Sequence, residues 1–223
     1  MIIAIDGPAG SGKSTVAKRV SERLGFEYLD TGAMYRAIAV RALEEAVALD
    51  DEDALVGIAL TEPIAFTFDP GPPLTVRVRI GDKDVTDAIR TPEADGAVSA
   101  VARLPRVREA MVARQRAIGS VRDTVVEGRD IGTVVFPDAA LKIFLTASHD
   151  ERARRRATEQ AERGHEVETA RVADAIAERD MTDSTRATSP LVVAVDAIEF
   201  DTTGLAIHEV VDRIVALAKE RRR

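Results

Sequence analysis

The chain has 223 residues, with 31 basic and 38 acidic side chains, a net charge of −7 and no cysteine. The lack of cysteine excludes disulfides, thiolate zinc sites and cysteine nucleophiles, and the negative charge argues against a nucleic-acid polymer or an anionic membrane as partner. With 45% hydrophobic and 31% charged residues spread along the chain, one main ordered domain with an insertion is expected.

The first residues, Met1 to Asp6, show neither a basic stretch nor an apolar run long enough for export. Nowhere do roughly 18 apolar residues follow one another, so no membrane span is expected and the cytoplasm is the expected compartment. Ile2 to Ile5 is short, β-branched and followed by Gly7-Pro8-Ala9-Gly10-Ser11-Gly12, which predicts a buried strand entering a glycine-rich turn. Val16, Val20 and Leu24 then fall at steps of four, and Gly25 supplies a helix stop. Phe26 to Asp30 predicts a second strand, with Thr31 capping a helix that runs through Tyr35, Ile38 and Leu43.

Between Thr61 and Thr86 the texture changes: Pro63, Pro70, Pro72 and Pro73 punctuate runs such as Val76-Arg77-Val78-Arg79-Ile80. Period-two alternation of this kind predicts half-buried antiparallel strands in an inserted subdomain. Helices are predicted from Pro92 to Arg103 and from Pro105 to Ile118, and strands at Thr124–Glu127, Leu141–Thr146 and Ala197–Asp201. Ser148-His149-Asp150-Glu151 has the pattern of a capping box opening an Arg-rich helix, and Ile207, Val210, Val211, Ile214 and Leu217 predict an amphipathic closing helix. Strands alternating with helices imply a central parallel sheet flanked by helices. The expected organisation is therefore α/β, with residues 1–60 and 119–223 as the core, a short lid at about 150–166 and an insertion at 61–118.

Gly7 to Ser14 fits GxxxxGKS, the phosphate-binding loop. In such a loop the backbone N–H groups of residues 7–15 (Gly7, Pro8, Ala9, Gly10, Ser11, Gly12, Lys13, Ser14 and Thr15, the proline excepted) converge on an anion at a positive helix end. Lys13 reaches the outer phosphates and Ser14 offers a hydroxyl to magnesium. The pattern identifies a nucleoside-triphosphate site without fixing a reaction. A GTPase is excluded: with no Asn the guanine-reading NKxD cannot exist, and the only DxxG, Asp201 to Gly204, lies in the last predicted strand. A motor ATPase needs a longer chain, which leaves a small-molecule kinase.

Three polar clusters lie where such folds place an acceptor, at or beyond strand ends. Asp30-Thr31-Gly32-Ala33-Met34-Tyr35-Arg36 ends the second strand, and Glu127-Gly128-Arg129-Asp130 ends the third. Arg179, Asp183 and Arg186 stand at i, i+4 and i+7, on one predicted helical face that continues back to the apolar Ile176 and Val172. Plainer readings stand beside each: a surface charge at Arg36, a buried structural pair at Arg129-Asp130, a solvated ion pair at Arg179-Asp183. Arg152, Arg154, Arg155, Arg156 and Arg163 form either a solvated face or a lid that folds arginines over a transferring phosphoryl group. His149, His165 and His208 have no ligand spacing. An acceptor that is itself a phosphate, with a second pKa near 6, needs no general base, which fits the lack of an obvious one.

The stretches IDGPAGSGKST, LDTGAMYRA, PRVREAMVARQRA, VVEGRDIGTVVFPDA, KIFLTAS and ERDMTDSTRATSPL together resemble the bacterial-type cytidylate kinases, within the nucleoside monophosphate kinases. GRDIGTVVFPDA and RDxxDxxR set that family apart from adenylate, guanylate and shikimate kinases. The resemblance implies transfer of the γ-phosphoryl of ATP, with magnesium, to CMP or dCMP; a monomer without a nucleic-acid polymer as partner is expected. It implies that Arg36, Arg129 and Arg186 hold the acceptor phosphate, that Ser99, Arg108 and Asp130 read cytosine, and that Arg179 and Asp183 hold the ribose. Arg156 is the implied lid arginine, and Asp30 and Thr31 belong to the acceptor pocket. Thr31 stands where many relatives have Ser, and Met181, Thr182 and Ser184 replace residues that are more charged in some relatives. Rival readings are a kinase of a metabolite hydroxyl, with a base such as Asp30, and a non-catalytic ATP-binding regulator.

Overall fold

A computed structural model describes residues 1–69, 74–162, 164 and 168–222. Pro70, Pro72 and Pro73 of the predicted insertion, and Arg163 and His165 of the predicted lid, lie outside them. The elements run β1 (Ile2–Asp6), α1 (Lys13–Leu24), β2 (Glu27–Asp30), α2 (Thr31–Glu44), α3 (Glu52–Thr61), β3 (Ile64–Asp69), β4 (Thr75–Ile80) and β5 (Lys83–Asp84). They continue with α4 (Pro92–Ala102), α5 (Pro105–Gly119), β6 (Thr124–Gly128), β7 (Leu141–Thr146), α6 (His149–Glu162), α7 (Thr169–Thr185), β8 (Ile198–Asp201) and α8 (Ile207–Arg221).

Two compact units divide the chain: residues 1–29 with 119–223, and residues 30–118. In the first, the sheet order is β2-β6-β1-β7-β8, with β1 running parallel to both β6 and β7, and β7 parallel to β8. Ile3, Ile5, Val125, Val126, Ile143 and Leu145 are all buried, as strands covered on both faces require. The register sets Asp6 opposite Gly128 on one side and Phe144 on the other, so the three central strands reach their C-terminal ends together, where the glycine loop and the Arg129-Asp130 turn begin. α1 packs against α8, and α6 against α7. Gly25 ends α1 in the left-handed conformation, φ 68°.

In the second unit α2 packs on α3, α4 and β4. β3, β4 and β5 form an antiparallel sheet, and along β4 Val76, Val78 and Ile80 are buried while Thr75, Arg77 and Arg79 are exposed. This unit begins at Asp30, ahead of the insertion expected at 61, because the apolar side of α2 (Met34, Ile38) belongs to the same packed cluster as α4. The sequence reading had no counterpart for α3, which Asp51 caps by accepting from Ala54 N. At the start of α2 the cap is Asp30, not Thr31: Asp30 Oδ1 accepts from Ala33 N at 2.7 Å, and Thr31 is the first helical residue. Among the described residues, no helix is long and apolar enough to cross a membrane.

Candidate active site

The glycine loop leaves β1 and enters α1 through Gly7, Gly10 and Gly12, all at positive φ. Gly7 is held against the chain of β7, where a Cβ would stand 2.0 Å from Leu145 O. No side chain caps α1 at Gly12, so its first N–H groups are left to a ligand. Lys13 is buried, and its Nζ donates to Pro8 O at 2.6 Å and to Ser11 Oγ at 3.3 Å. Burial, with the Arg129 and Arg179 cations, pulls its pKa well below the usual lysine value against the opposing pull of Glu127 and Asp6. An anion bound beside Lys13 would favour its charged form.

Ser14 and Thr15 are exposed on the first turn of α1. Ser14 Oγ donates to Glu127 Oε2 at 2.9 Å, and Glu127, itself buried, also accepts from Tyr28 Oη. With its O–H directed at Glu127, the Ser14 oxygen keeps its lone pairs available to a cation. Among the described residues there is no group of three His, Asp or Glu fit to hold a metal by themselves. One hydroxyl backed by a carboxylate suits magnesium, which keeps phosphate and water oxygens as most of its ligands. Glu127 stood in the quoted GRD cluster but not among the expected ligands, and its partners lie 99 and 113 residues away.

The backbone of Ala9 is gripped on both sides: its N–H donates to Asp180 Oδ1 at 3.2 Å and its carbonyl accepts from Arg152 Nη1 at 3.0 Å. Arg152 also pairs with Asp180 and donates to Ala147 O, which makes it a strut between α6, α7 and the loop rather than a mobile lid group. Arg155 donates to Thr202 Oγ1 and to Thr202 O, and Arg154 pairs with Glu151. Arg156 pairs with Glu159 at 2.6 Å on a half-buried turn of α6. The predicted capping box is present from its Ser148 side, whose Oγ accepts from Glu151 N at 3.3 Å, while the Glu151 carboxylate holds Arg154 and Arg155. His149 lies against Ala173 O and His208 is exposed.

At the end of β6, Arg129 Nε donates to Asp183 Oδ2 at 2.8 Å, while Arg186 approaches Asp183 Oδ1 at 3.5 Å and Asp130 Oδ1 at 3.9 Å. Burial alone would raise the Asp183 carboxyl; Arg129, Arg179 and Arg186 outweigh it and hold the group below its ordinary value. Arg129, despite burial, is held above its ordinary value by Asp183. Arg129, Asp130, Arg179, Asp183 and Arg186 thus lie on one unit. The predicted helical face is corrected: α7 ends at Thr185, and Arg186 is extended (φ −61°, ψ 142°). Its Nε donates to Ser189 O at 2.6 Å, and this turn, with Ser189 at φ 52°, brings the guanidinium back to Asp183. Val172 and Ile176 are buried on α7, as expected of the apolar end of that face.

The second unit holds the remaining candidates. Asp30 Oδ2 accepts from Arg36 Nη2 at 3.3 Å and from Arg90 Nη2 at 3.4 Å, so Asp30 is engaged as an anchor for two arginines. Arg90, on a single 3₁₀ turn at Ala88–Arg90, was not anticipated; nothing in the local sequence links it to a residue 60 positions away. The Arg108 guanidinium is buried over the Tyr35 ring, 5.5 Å from its centroid, and donates to Ala102 O at 3.1 Å. Ser99 is half-buried on α4 and Thr31 is buried.

With this geometry in hand, the relatives are informative. Residues 3–220 match the family model of cytidylate kinase. A cytidylate kinase of Pelotomaculum thermopropionicum is 51% identical over 99% of this chain and 97% of its own, and one of Geobacillus kaustophilus is 51% identical over 98% and 96%. The solved structure of a gluconokinase from Sinorhizobium meliloti has a TM-score of 0.50 at 17% identity, covering 99% of this chain and 93% of that one, a likeness of fold alone. On the family match and these identities, the chain belongs to the cytidylate kinase family.

Proposed function

We propose that the protein transfers the γ-phosphoryl group of ATP to CMP or dCMP, giving the diphosphate and ADP. One observation carries the reading beyond the family match: the arginine and carboxylate lattice of Arg129, Asp183 and Arg186 stands on the same unit as the glycine loop and Lys13, so a donor-phosphate cradle and a second anion clamp are built together. An acceptor phosphate oxygen attacks γ-phosphorus in line, forming the new P–O bond as the bond to the β-phosphate oxygen breaks, with no proton to remove from a dianionic acceptor. Lys13 and the N–H groups of residues 7–15, the proline excepted, take the donor phosphates. Arg36, Arg129 and Arg186 hold the acceptor phosphate, and Arg156 adds charge from the lid. Lys13, Arg129, Arg156 and Arg186 therefore neutralise charge in the transition state. Ser14 would hold magnesium beside the phosphates, and the ion would supply Lewis-acid neutralisation when bound.

Ser99, Arg108 and Asp130 read the base: cytosine presents an exocyclic amine where uracil has a carbonyl, and a carboxylate accepts from the first and repels the second. Arg179 and Asp183 hold the ribose, Asp30 and Thr31 take part in binding the acceptor, and residues 61–118 serve the acceptor. The protein works as a monomer in the cytoplasm, without a nucleic-acid polymer. ATP consumption measured with CMP, dCMP, UMP, AMP and shikimate tests the reading; CMP or dCMP is the expected best acceptor, and no turnover with either would overturn it.

A further inference from the structure

After β6 the chain makes a π-helical turn, Ile131–Val135, whose first N–H groups have no carbonyl of a preceding turn to bond. The residue placed to cap it is Asp130, an aspartate in an N-cap position, and such a side chain ordinarily folds onto the next N–H groups. Here it makes no capping bond. The acceptor comes instead from the end of β1: Asp6 Oδ1 accepts from Ile131 N at 2.8 Å and Asp6 Oδ2 accepts from Gly132 N at 2.7 Å.

The fit is close. A Cβ at Gly132 would stand 3.1 Å from Lys142 Cδ and 3.4 Å from Asp6 Oδ2, so the turn lies in a slot walled by Asp6 and the Lys142 stem. The Lys142 ammonium is drawn away to Asp196 at 2.8 Å, which leaves Asp6 as the charge facing the turn. Asp6 is a buried carboxylate on the central strand, and two short hydrogen bonds to N–H groups are what such a group needs in order to be tolerated there.

We propose that Asp6 is a positioning residue: by capping the turn in Asp130's place, it keeps the Asp130 carboxylate off its own backbone and turned to the base of the acceptor nucleotide. The inference rests on the reading of Asp130 as a base-contacting residue. Two carboxylates cannot both occupy the same pair of N–H groups, and a vacancy left by Asp6 is one that Asp130, next in the chain to Ile131, is placed to fill.

The test compares kcat/KM for CMP and UMP in the parent, Asp6→Asn, Asp130→Ala and the double variant. An amide at position 6 can accept from only one of the two N–H groups. Asp6→Asn is expected to narrow the CMP-to-UMP ratio by about tenfold, the scale of one hydrogen bond to a charged group. In the Asp130→Ala background the same change is expected to leave the ratio where it is. A full ratio in Asp6→Asn beside a collapsed one in Asp130→Ala overturns the role of Asp6, as does an equal loss for both acceptors. A full ratio in Asp130→Ala overturns the reading of Asp130 instead. Amide hydrogen exchange in the parent needs no variant: the Ile131 and Gly132 amides should be protected like those of β6, and exchange at loop rates would overturn the cap.

Discussion

Arg129 and Asp183 meet at 2.8 Å between the end of β6 and the last turns of α7, and Asp183 also receives Arg186 from beyond the helix end. Removing the carboxylate leaves two largely buried guanidinium groups without their shared anion. Asp183→Ala is expected to cost about 3 kcal/mol of stability, at the low end for breaking a buried pair. Because the folded group is held below its ordinary value, its contribution is complete above about pH 4 and is lost as pH falls through the folded pKa. Urea unfolding of parent and variant from pH 6 to pH 2.5 should therefore converge in acid; a constant difference would refute this assignment.

Glu127 accepts a hydrogen bond from the Ser14 hydroxyl and so leaves the lone pairs of its oxygen available to a cation. Glu127→Gln keeps the shape and removes the charge. With a backing partner of a metal ligand typically worth ten- to a hundredfold in metal affinity, the magnesium concentration for half-maximal rate should rise by about tenfold at fixed ATP. An unchanged magnesium dependence would show that Glu127 serves only the packing of Tyr28.

Some of this site is legible in the sequence, and the divide follows distance along the chain. The strands stand out as short β-branched runs, the insertion as period-two alternation, and the glycine loop as a fixed spacing. Arg129, Asp130, Arg179 and Asp183 stand out as candidates because they sit in compact motifs. The roles of Asp6, Asp180 and Arg90 are not legible: Asp6 and Asp180 stand inside IDGPAGSGKST and RDxxDxxR, but their partners are 125 and 171 residues away, and that of Arg90 is 60 away. Arg186 was placed on a helical face because an i+7 spacing presumes an unbroken helix. Ser189 at positive φ and Pro190 end that presumption. Helix α3 is faint for another reason: its ten residues carry apolar side chains both inward, at Leu55 and Ile58, and outward, at Leu60.

Gly7 and Gly25 both have positive φ, yet they should respond differently to alanine. At Gly25 a Cβ meets nothing within 4 Å, so Gly25→Ala carries only the left-handed backbone penalty of about 1 kcal/mol. At Gly7 the Cβ would fall 2.0 Å from Leu145 O, so the loop must separate from β7 in addition to adopting a strained backbone. Gly7→Ala is expected to cost at least about 3 kcal/mol and to weaken ATP binding, whereas Gly25→Ala leaves ATP binding unchanged. Thermal unfolding and ATP titration of the two variants check this, and equal penalties would contradict the close contact.

Burial raises the Asp6 carboxyl from 3.8 to about 6; Asp130 adds to the rise, while the Ile131 and Gly132 N–H groups and Lys13 oppose it. The sign of the resulting pH dependence is opposite to that at Asp183. A folded group with a raised pKa holds its proton more tightly than the unfolded chain does, so between about pH 4 and pH 6 the native state binds more protons and stability falls as pH rises. Above pH 6 the penalty is constant, roughly 3 kcal/mol for a shift of about two units. Asp6→Asn cannot ionise and lacks this slope. Relative to the parent it should be least stable near pH 4, where the protonated parent pays nothing, and should gain on it by up to about 3 kcal/mol by pH 6.5. Urea unfolding at half-unit steps reads the difference directly, and parallel curves would show that the carboxylate is already ionised at pH 4, its two backbone hydrogen bonds outweighing its burial.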